Sequence, residues 1–371
     1  MRTGRLRTAR ASLLAAALAS LVAAGCRDEA AASPGDAAVA RSPAPVLAAP
    51  SRAAPPPAAD DLSVVLARAG SPRRSVQEAA LRELVEAGAP ARDAARRALA
   101  SPNVDTRRGA AAALALIADD SCAPEIIEAL QRADDLDAPS LILALGRTTA
   151  AASGAALVGF IEGPDELRAF RSAAAASAFA GQLDLARLRA ATSPERPAHV
   201  RQAALIALGG HSQPSDFEFF LAASKDALAP VREASAQGLF ASGLATTGDV
   251  RRLVVEDDHE RVRAAAAKAA RALGRAAIVP LAEALRRFRD DDTVPAAIAS
   301  LAAIREPAAF DALHEFALDD TQTSDERGAA VRGLDAIDHD LALTVLKREA
   351  AIFDMDLRVY CDEILATETR R

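Results

Sequence analysis

The sequence predicts an all-α fold, a superhelical solenoid of about ten helix–turn–helix repeats. Three observations predict it. An arginine followed seven residues later by a leucine recurs about every 31 positions, most clearly as Arg201-Gln-Ala-Ala-Leu-Ile-Ala-Leu208. Each copy is followed, after a break, by a second apolar stretch. No segment alternates polar and apolar residues for long enough to be a convincing strand.

The register position falls at Gln77, Arg107, Ala138, Arg171, Arg201, Arg232, Arg263, Val294, Arg327 and Arg358. Leucine or alanine stands seven residues on in every copy, from Leu84 to Leu365. The two positions after next are usually alanine, as at Ala79-Ala80, Ala173-Ala174, Ala203-Ala204 and Ala329-Ala330. Apolar residues at offsets of three, four and seven share one face of a helix. Alanine favours helix and lets neighbouring helices approach closely. Each repeat therefore begins with a helix whose inner stripe is small, then large.

The second stretches include Pro124-Glu-Ile-Ile-Glu-Ala-Leu130, Phe217-Glu-Phe-Phe-Leu221, Ile278 to Leu285 and Leu341 to Leu346. Pro90, Pro124, Pro214 and Pro307 stand near the start of such stretches, where a missing N–H costs little. Gly88, Asp119-Asp120, Gly209-Gly210 and Gly274 mark the breaks. Asp61 to Arg68 reads as a lone second helix covering the open end of the stack. The tenth unit has only its first helix and ends polar, from Thr367 to Arg371. Such end caps are what a solenoid needs for solubility.

Ahead of the repeats the chain changes character. Arg2, Arg5, Arg7 and Arg10 form a basic head, and Ala11 to Gly25 run without a charge. Fifteen residues are short of the roughly 20 that span a bilayer, so residues 1–25 read as a secretory signal peptide. Residues 27–59 hold 13 alanines and 7 prolines in 33 positions, a composition expected to stay extended and unpacked. With Cys26 they form the tether segment 26–59, ahead of a repeat domain at 60–371.

Two resemblances follow from these residues. Leu21-Val-Ala-Ala-Gly-Cys26 resembles the lipobox of bacterial lipoproteins, departing from it at Ala23, where leucine is usual. The resemblance implies lipidation at Cys26 and an exported chain held by a lipid anchor to a bacterial membrane. Arg27, rather than Asp, after the cysteine leans towards the outer membrane. Val200-Arg201-Gln-Ala-Ala, Val231-Arg232-Glu-Ala and Val262-Arg263-Ala-Ala, with Leu145-Gly146, Leu208-Gly209 and Leu273-Gly274, resemble the short HEAT repeat of phycobilisome-lyase-like proteins. That resemblance spans residues 60–371. It implies a HEAT-like solenoid and says little about function, because the repeat serves many purposes. In such stacks the second helices line the concave surface.

Composition narrows the function. Removing residues 1–25 takes away four arginines and no acid, leaving 40 basic and 51 acidic residues and a net charge of −11. An acidic chain without Trp, and with Tyr360 as its one tyrosine, is poorly suited to nucleic acid. Cys122 and Cys361 stand eight repeats apart, too far in a linear stack for the roughly 7 Å that a disulfide allows between Cα atoms. Two separate thiols are expected, Cys361 in a slot that most repeats fill with alanine.

The recurring arginine opposes the dipole at a helix N-terminus and needs a partner. Acids precede it at Asp165, Asp226, Asp257-Asp258, Asp290 to Asp292 and Asp319-Asp320. A structural ladder of Arg107, Arg171, Arg201, Arg232, Arg263, Arg327 and Arg358 with these acids is expected. The rival reading is an acidic rim that binds a basic partner or cations. His199, His211, His259, His314 and His339 form no cluster with metal-ligand spacing. No nucleophile elbow, phosphate loop or zinc-protease helix is present, and no cofactor is expected. Candidate partner contacts are Phe219, on a different helix face from Phe217 and Phe220, with Arg251, Arg252 and Arg287. The function expected is a lipid-anchored envelope scaffold that binds another protein and is not an enzyme. The alternatives are an enzyme of chromophore-lyase type on the same scaffold, or a structural envelope protein without a discrete partner.

Overall fold

The computed structural model describes residues 59–133, 137–211, 213–349 and 355–368. The signal peptide, Cys26, the tether to residue 58 and the last three residues lie outside the described residues. Among those described there are twenty α-helices and no strand. They divide into two compact units, one of residues 59–157 with 179–183, the other of residues 158–178 with 184–368.

The first unit holds α1 (Ala59–Ala69), α2 (Arg74–Ala87), α3 (Ala89–Ala98), α4 (Val104–Ile117), α5 (Ala123–Arg132), α6 (Ala138–Arg147) and most of α7 (Ala151–Ile161). Even-numbered helices carry the arginine register and odd-numbered ones are the second stretches. The breaks have local causes. Gly88, at φ 63°, ends α2 and starts α3 in a conformation that a side chain would strain. Pro90 and Pro124 sit in the first turns of α3 and α5. The Asn103 side chain caps α4 by accepting from the Thr106 N–H.

α1 departs from the expectation. It lies along α4, as one first helix lies along the next elsewhere in the chain, rather than covering the end as a second helix. The cause is a pair of glycines. A Cβ on Gly109 would stand 1.7 Å from the Leu66 carbonyl oxygen, and one on Gly70 would stand 1.8 Å from that of Asp105. Without those atoms the two backbones meet, and Leu62, Val65 and Leu66 become core.

The second unit holds the end of α7, then α8 (Glu166–Ser177), α9 (Leu185–Ala191), α10 (Ala198–Gly210), α11 (Phe217–Ala223), α12 (Ala229–Ala241), α13 (Thr247–Val254), α14 (Glu260–Ala270), α15 (Arg275–Arg287), α16 (Thr293–Ile304), α17 (Pro307–Leu318), α18 (Ser324–Ile337), α19 (His339–Glu349) and α20 (Met355–Glu368). Even-numbered helices again form one layer and odd-numbered ones the other. Leu208, Leu239, Leu301 and Leu334 are fully buried, each contributing roughly 1.5–3 kcal/mol.

The two layers differ in spacing. Consecutive first helices from α8 to α20 lie against each other, whereas second helices pack closely only from α13 to α15 and from α15 to α17. Alanine and glycine make the difference. A Cβ on Gly210 would stand 1.9 Å from the Ser177 carbonyl oxygen of α8. The Ser300 hydroxyl on α16 donates to the Ala267 carbonyl of α14 at 2.8 Å.

Cys122 and Cys361 are both buried, and neither forms a disulfide.

Candidate functional site

The arginines of the register clamp consecutive turns. Arg232 shows the full arrangement. Its Nε donates to Asp257 Oδ2 at 2.8 Å, and its Nη2 donates to Asp257 Oδ1 at 3.0 Å and Asp258 Oδ1 at 2.8 Å. Its Nη1 turns back to the Asp226 and Ala227 carbonyls at 3.0 and 3.2 Å. One guanidinium thus holds the turn before its own helix and the turn before the next. Arg201 pairs with Asp226, and Arg263 pairs with Asp290 at 2.8 Å while donating to the Asp257 carbonyl at 3.2 Å. In the first unit Arg107 reaches Asp137 at 3.3 Å and the Ser101 and Pro102 carbonyls at 3.1 Å each. The pattern changes at Arg327, whose Nε donates to the Ala317 carbonyl at 2.9 Å. Arg171 is half-buried in α8 and Arg358 is exposed on α20.

The acids do two jobs each. Asp226, Asp257 and Asp290 accept the backbone N–H groups of Leu228, His259 and Thr293 as well as an arginine. Burial alone would raise the Asp257 carboxyl. The Arg232 guanidinium and the His259 N–H overcome it and hold the group below the usual carboxylate range. Asp290 is held low in the same way, against its burial, by Thr293 and Arg263. The bond to Asp257 raises Arg232 in turn.

A second ladder runs along the second helices, and the sequence reading missed it. Arg96 on α3 donates to Glu125 on α5, with Nε at 3.1 Å. Arg189 on α9 meets Asp216 at 2.6 Å, and the Asp216 side chain is wholly buried. Arg251 on α13 pairs with Glu283 on α15 at 2.7 Å, and Arg286 on α15 with Glu315 on α17 at 3.2 Å. Arginine-to-acid spacings of 27 to 32 residues between second stretches are the signal that could have found it.

This ladder includes one of the four candidate contacts, Arg251. Arg251 also binds Glu256 at 3.0 Å. Arg252 grips α11, donating to the Ser224 carbonyl at 2.8 Å and the Ser224 hydroxyl at 2.9 Å. Arg287 lies 5.5 Å from the centre of the Phe288 ring, a ring that the ladder residue Arg263 also covers at 4.2 Å. Phe219 is 38% exposed on α11 while Phe220 is fully buried. Of the histidines, His199 and His211 bind carbonyls of residues 163 and 176, His259 caps α14, and His339 pairs with Asp335. Among the described residues no group of three or more His, Cys, Asp or Glu could hold a metal ion.

A groove opens on the first-helix side of the second unit, across α10, α12 and α14, with a volume of about 520 Å³. Alanines form its floor, Ala265 among them, and Ile206 adds an apolar wall. Gln202 and Gln237 present amides to it, and Lys268 and Arg271 stand at one end. No described residue pairs with the Lys268 or Arg271 side chain. The sequence reading passed over all four polar residues, because in the first helices it followed only the buried stripe.

No protein-family model matches the chain, and no curated protein matches it in sequence. Solved structures do match it in fold. Kap95p, from a structure of its binding to RanGDP, is 12% identical with a TM-score of 0.50, over 82% of this chain and 49% of that one. Kap121p bound to Pho4p is 13% identical with a TM-score of 0.47, over 83% and 45%. The CpcE–CpcF complex of phycocyanin lyase from Nostoc is 17% identical with a TM-score of 0.30, over 87% and 98%. The fold is that of a HEAT-type helical-repeat solenoid, and this chain spans about half the length of Kap95p.

Proposed function

We propose that this chain is a scaffold whose HEAT-type solenoid binds another protein, and that a lipid on Cys26 anchors it in the cell envelope. It works without catalysis. The observation that carries the reading is the open groove across three consecutive first helices. A surface built by repetition presents one shallow contact several times over, which suits an extended partner better than a small substrate. Kap95p, similar in fold, binds RanGDP. The exposed Phe219 offers a further apolar contact on the other layer. The segment 26–59 supplies reach, on the order of 30 Å as a coil.

Crosslinking in the native envelope followed by mass spectrometry tests the scaffold. A reproducible protein neighbour is expected, and recovery of none would overturn the proposal. Radioactive fatty-acid labelling tests the anchor: the chain should incorporate label and the Cys26→Ser variant should not. Equal labelling of the two would remove the anchor from the proposal.

A further inference from the structure

We infer that the groove across α10, α12 and α14 binds an extended acidic segment of the partner. The inference rests on the scaffold proposal and names the partner's chemistry. Three features of the groove carry it.

The first is charge. The chain as a whole is acidic, with a net charge of −7. Many of its arginines are occupied by the two ladders. Lys268 and Arg271 are not: both are exposed, and neither has an ion-pair partner among the described residues. Glu233, the acid lining the groove, is already matched by Arg261 at 3.6 Å. Two unmatched cations at one end of a groove favour a partner that brings carboxylates there.

The second feature is the pair of amides. Gln202 and Gln237 lie on successive first helices, one and five residues after the register position, so they share a helix face one turn apart. Each side-chain amide both donates and accepts, which is what a peptide backbone requires. The third is the floor. Alanines leave a backbone-sized channel, closed on one side by Ile206. Three adjacent helices span two interaxial steps of about 8–10 Å. An extended chain rises about 3.3 Å per residue, so the groove takes about six residues. Here a chain can touch three repeats at once.

Fluorescence anisotropy with the full chain tests the inference. The probes are labelled hexapeptides in which alanine alternates with glutamate, lysine or glutamine. The glutamate peptide should bind tightest, and more weakly as salt rises. Lys268→Glu with Arg271→Glu should weaken it about tenfold. Lys225→Glu with Arg196→Glu makes the same charge change at exposed residues that do not line the groove, and should leave it within about twofold. Gln237→Ala should weaken the glutamate and glutamine peptides alike. Circular dichroism confirms that each variant keeps its helices. A preference for the lysine peptide, equal binding of all three, or no binding would overturn the inference. So would a glutamate-peptide affinity that the groove variant leaves unchanged. None of these touches the scaffold proposal, which fails separately if crosslinking finds no neighbour.

Discussion

Arg232→Met would test the turn ladder at its best-formed rung. The side chain is 14% exposed and its partner Asp257 is 7% exposed, so both charges are largely withdrawn from water. The substitution keeps most of the buried stem and removes five hydrogen bonds, three of them to carboxylates. A hydrogen bond to a charged group contributes about 1.5–3 kcal/mol, and stripping one partner from a buried ion pair costs about 3–5 kcal/mol. Two features place this rung at the low end. Asp257 keeps the His259 N–H at 3.0 Å, and the neighbouring Asp258 is open to water. A loss of about 3 kcal/mol is the expected result. Asp257→Ala with Arg232→Met removes both charges, so the double variant should lose less than the two single losses added together, with a coupling of about 2 kcal/mol. Arg232→Lys keeps the charge without the fork and should fall between. Urea unfolding followed by circular dichroism measures the total, and hydrogen exchange of the α12 and α14 amides locates it. A loss below about 0.5 kcal/mol would refute the reasoning, because that is the range of a solvated surface pair.

Other outcomes follow from the same contacts. Gly109→Ala places a Cβ where the Leu66 carbonyl stands, so α1 should lift from α4 at a cost of about 2–3 kcal/mol, seen as faster amide exchange in α1. Arg189→Met leaves the fully buried Asp216 with the Gln213 N–H at 3.3 Å, and should cost about 3–4 kcal/mol in urea unfolding; Asp216→Asn in that background should recover part of it. Asp257 and Asp290 titrate lower folded than unfolded, so their contribution is complete above the unfolded value near 3.9 and is lost as pH falls through the folded values. Thermal stability should therefore drop on acidification below about pH 4, and less in the Asp257→Asn variant. Burial pushes the Cys122 thiol up, so a maleimide should label Cys122 at pH 8 only after urea is added.

The period of the chain was legible because the first helices from α8 to α20 meet the same requirement. Each lies against the next, which small residues at fixed offsets allow. Ala203, Ala204, Ala266, Ala267 and Ala330 are fully buried for that reason. The turn arginines were legible for the same cause: Arg107, Arg201, Arg232 and Arg263 close the same gap with the same residue. The second ladder has no fixed slot. Arg96, Arg189, Arg251 and Arg286 reach partners at 29, 27, 32 and 29 residues, and the acid is glutamate or aspartate. Pairs that shift along the helix leave no column to read. The position of α1 was hidden for a different reason. Its sequence suits either layer, and the choice lies in Gly70 and Gly109, which act by what they lack.

The distribution of satisfied charge gives the two layers different roles. Along the second helices, each arginine that meets an acid on the next helix fixes the distance between repeats and spends its charge inside the molecule. Arg251 meets Glu283 and Arg252 meets Ser224, so both candidate contacts also carry structural bonds. The first-helix side reverses the balance. Its ion pairs, from Arg201, Arg232 and Arg263, lie in the turns, and its helix faces meet through alanine, which leaves polar residues in the groove that take part in neither. Lys268, Arg271, Gln202 and Gln237 are such residues, and they fall on adjacent helices of the tighter layer. A stack held by ion pairs in its turns and along its second helices, and by small side chains between its first helices, leaves these groove residues outside its structural contacts. Charge reversal at Lys268 and Arg271 should then change what binds and leave the unfolding midpoint in place, whereas Arg189→Met should do the opposite.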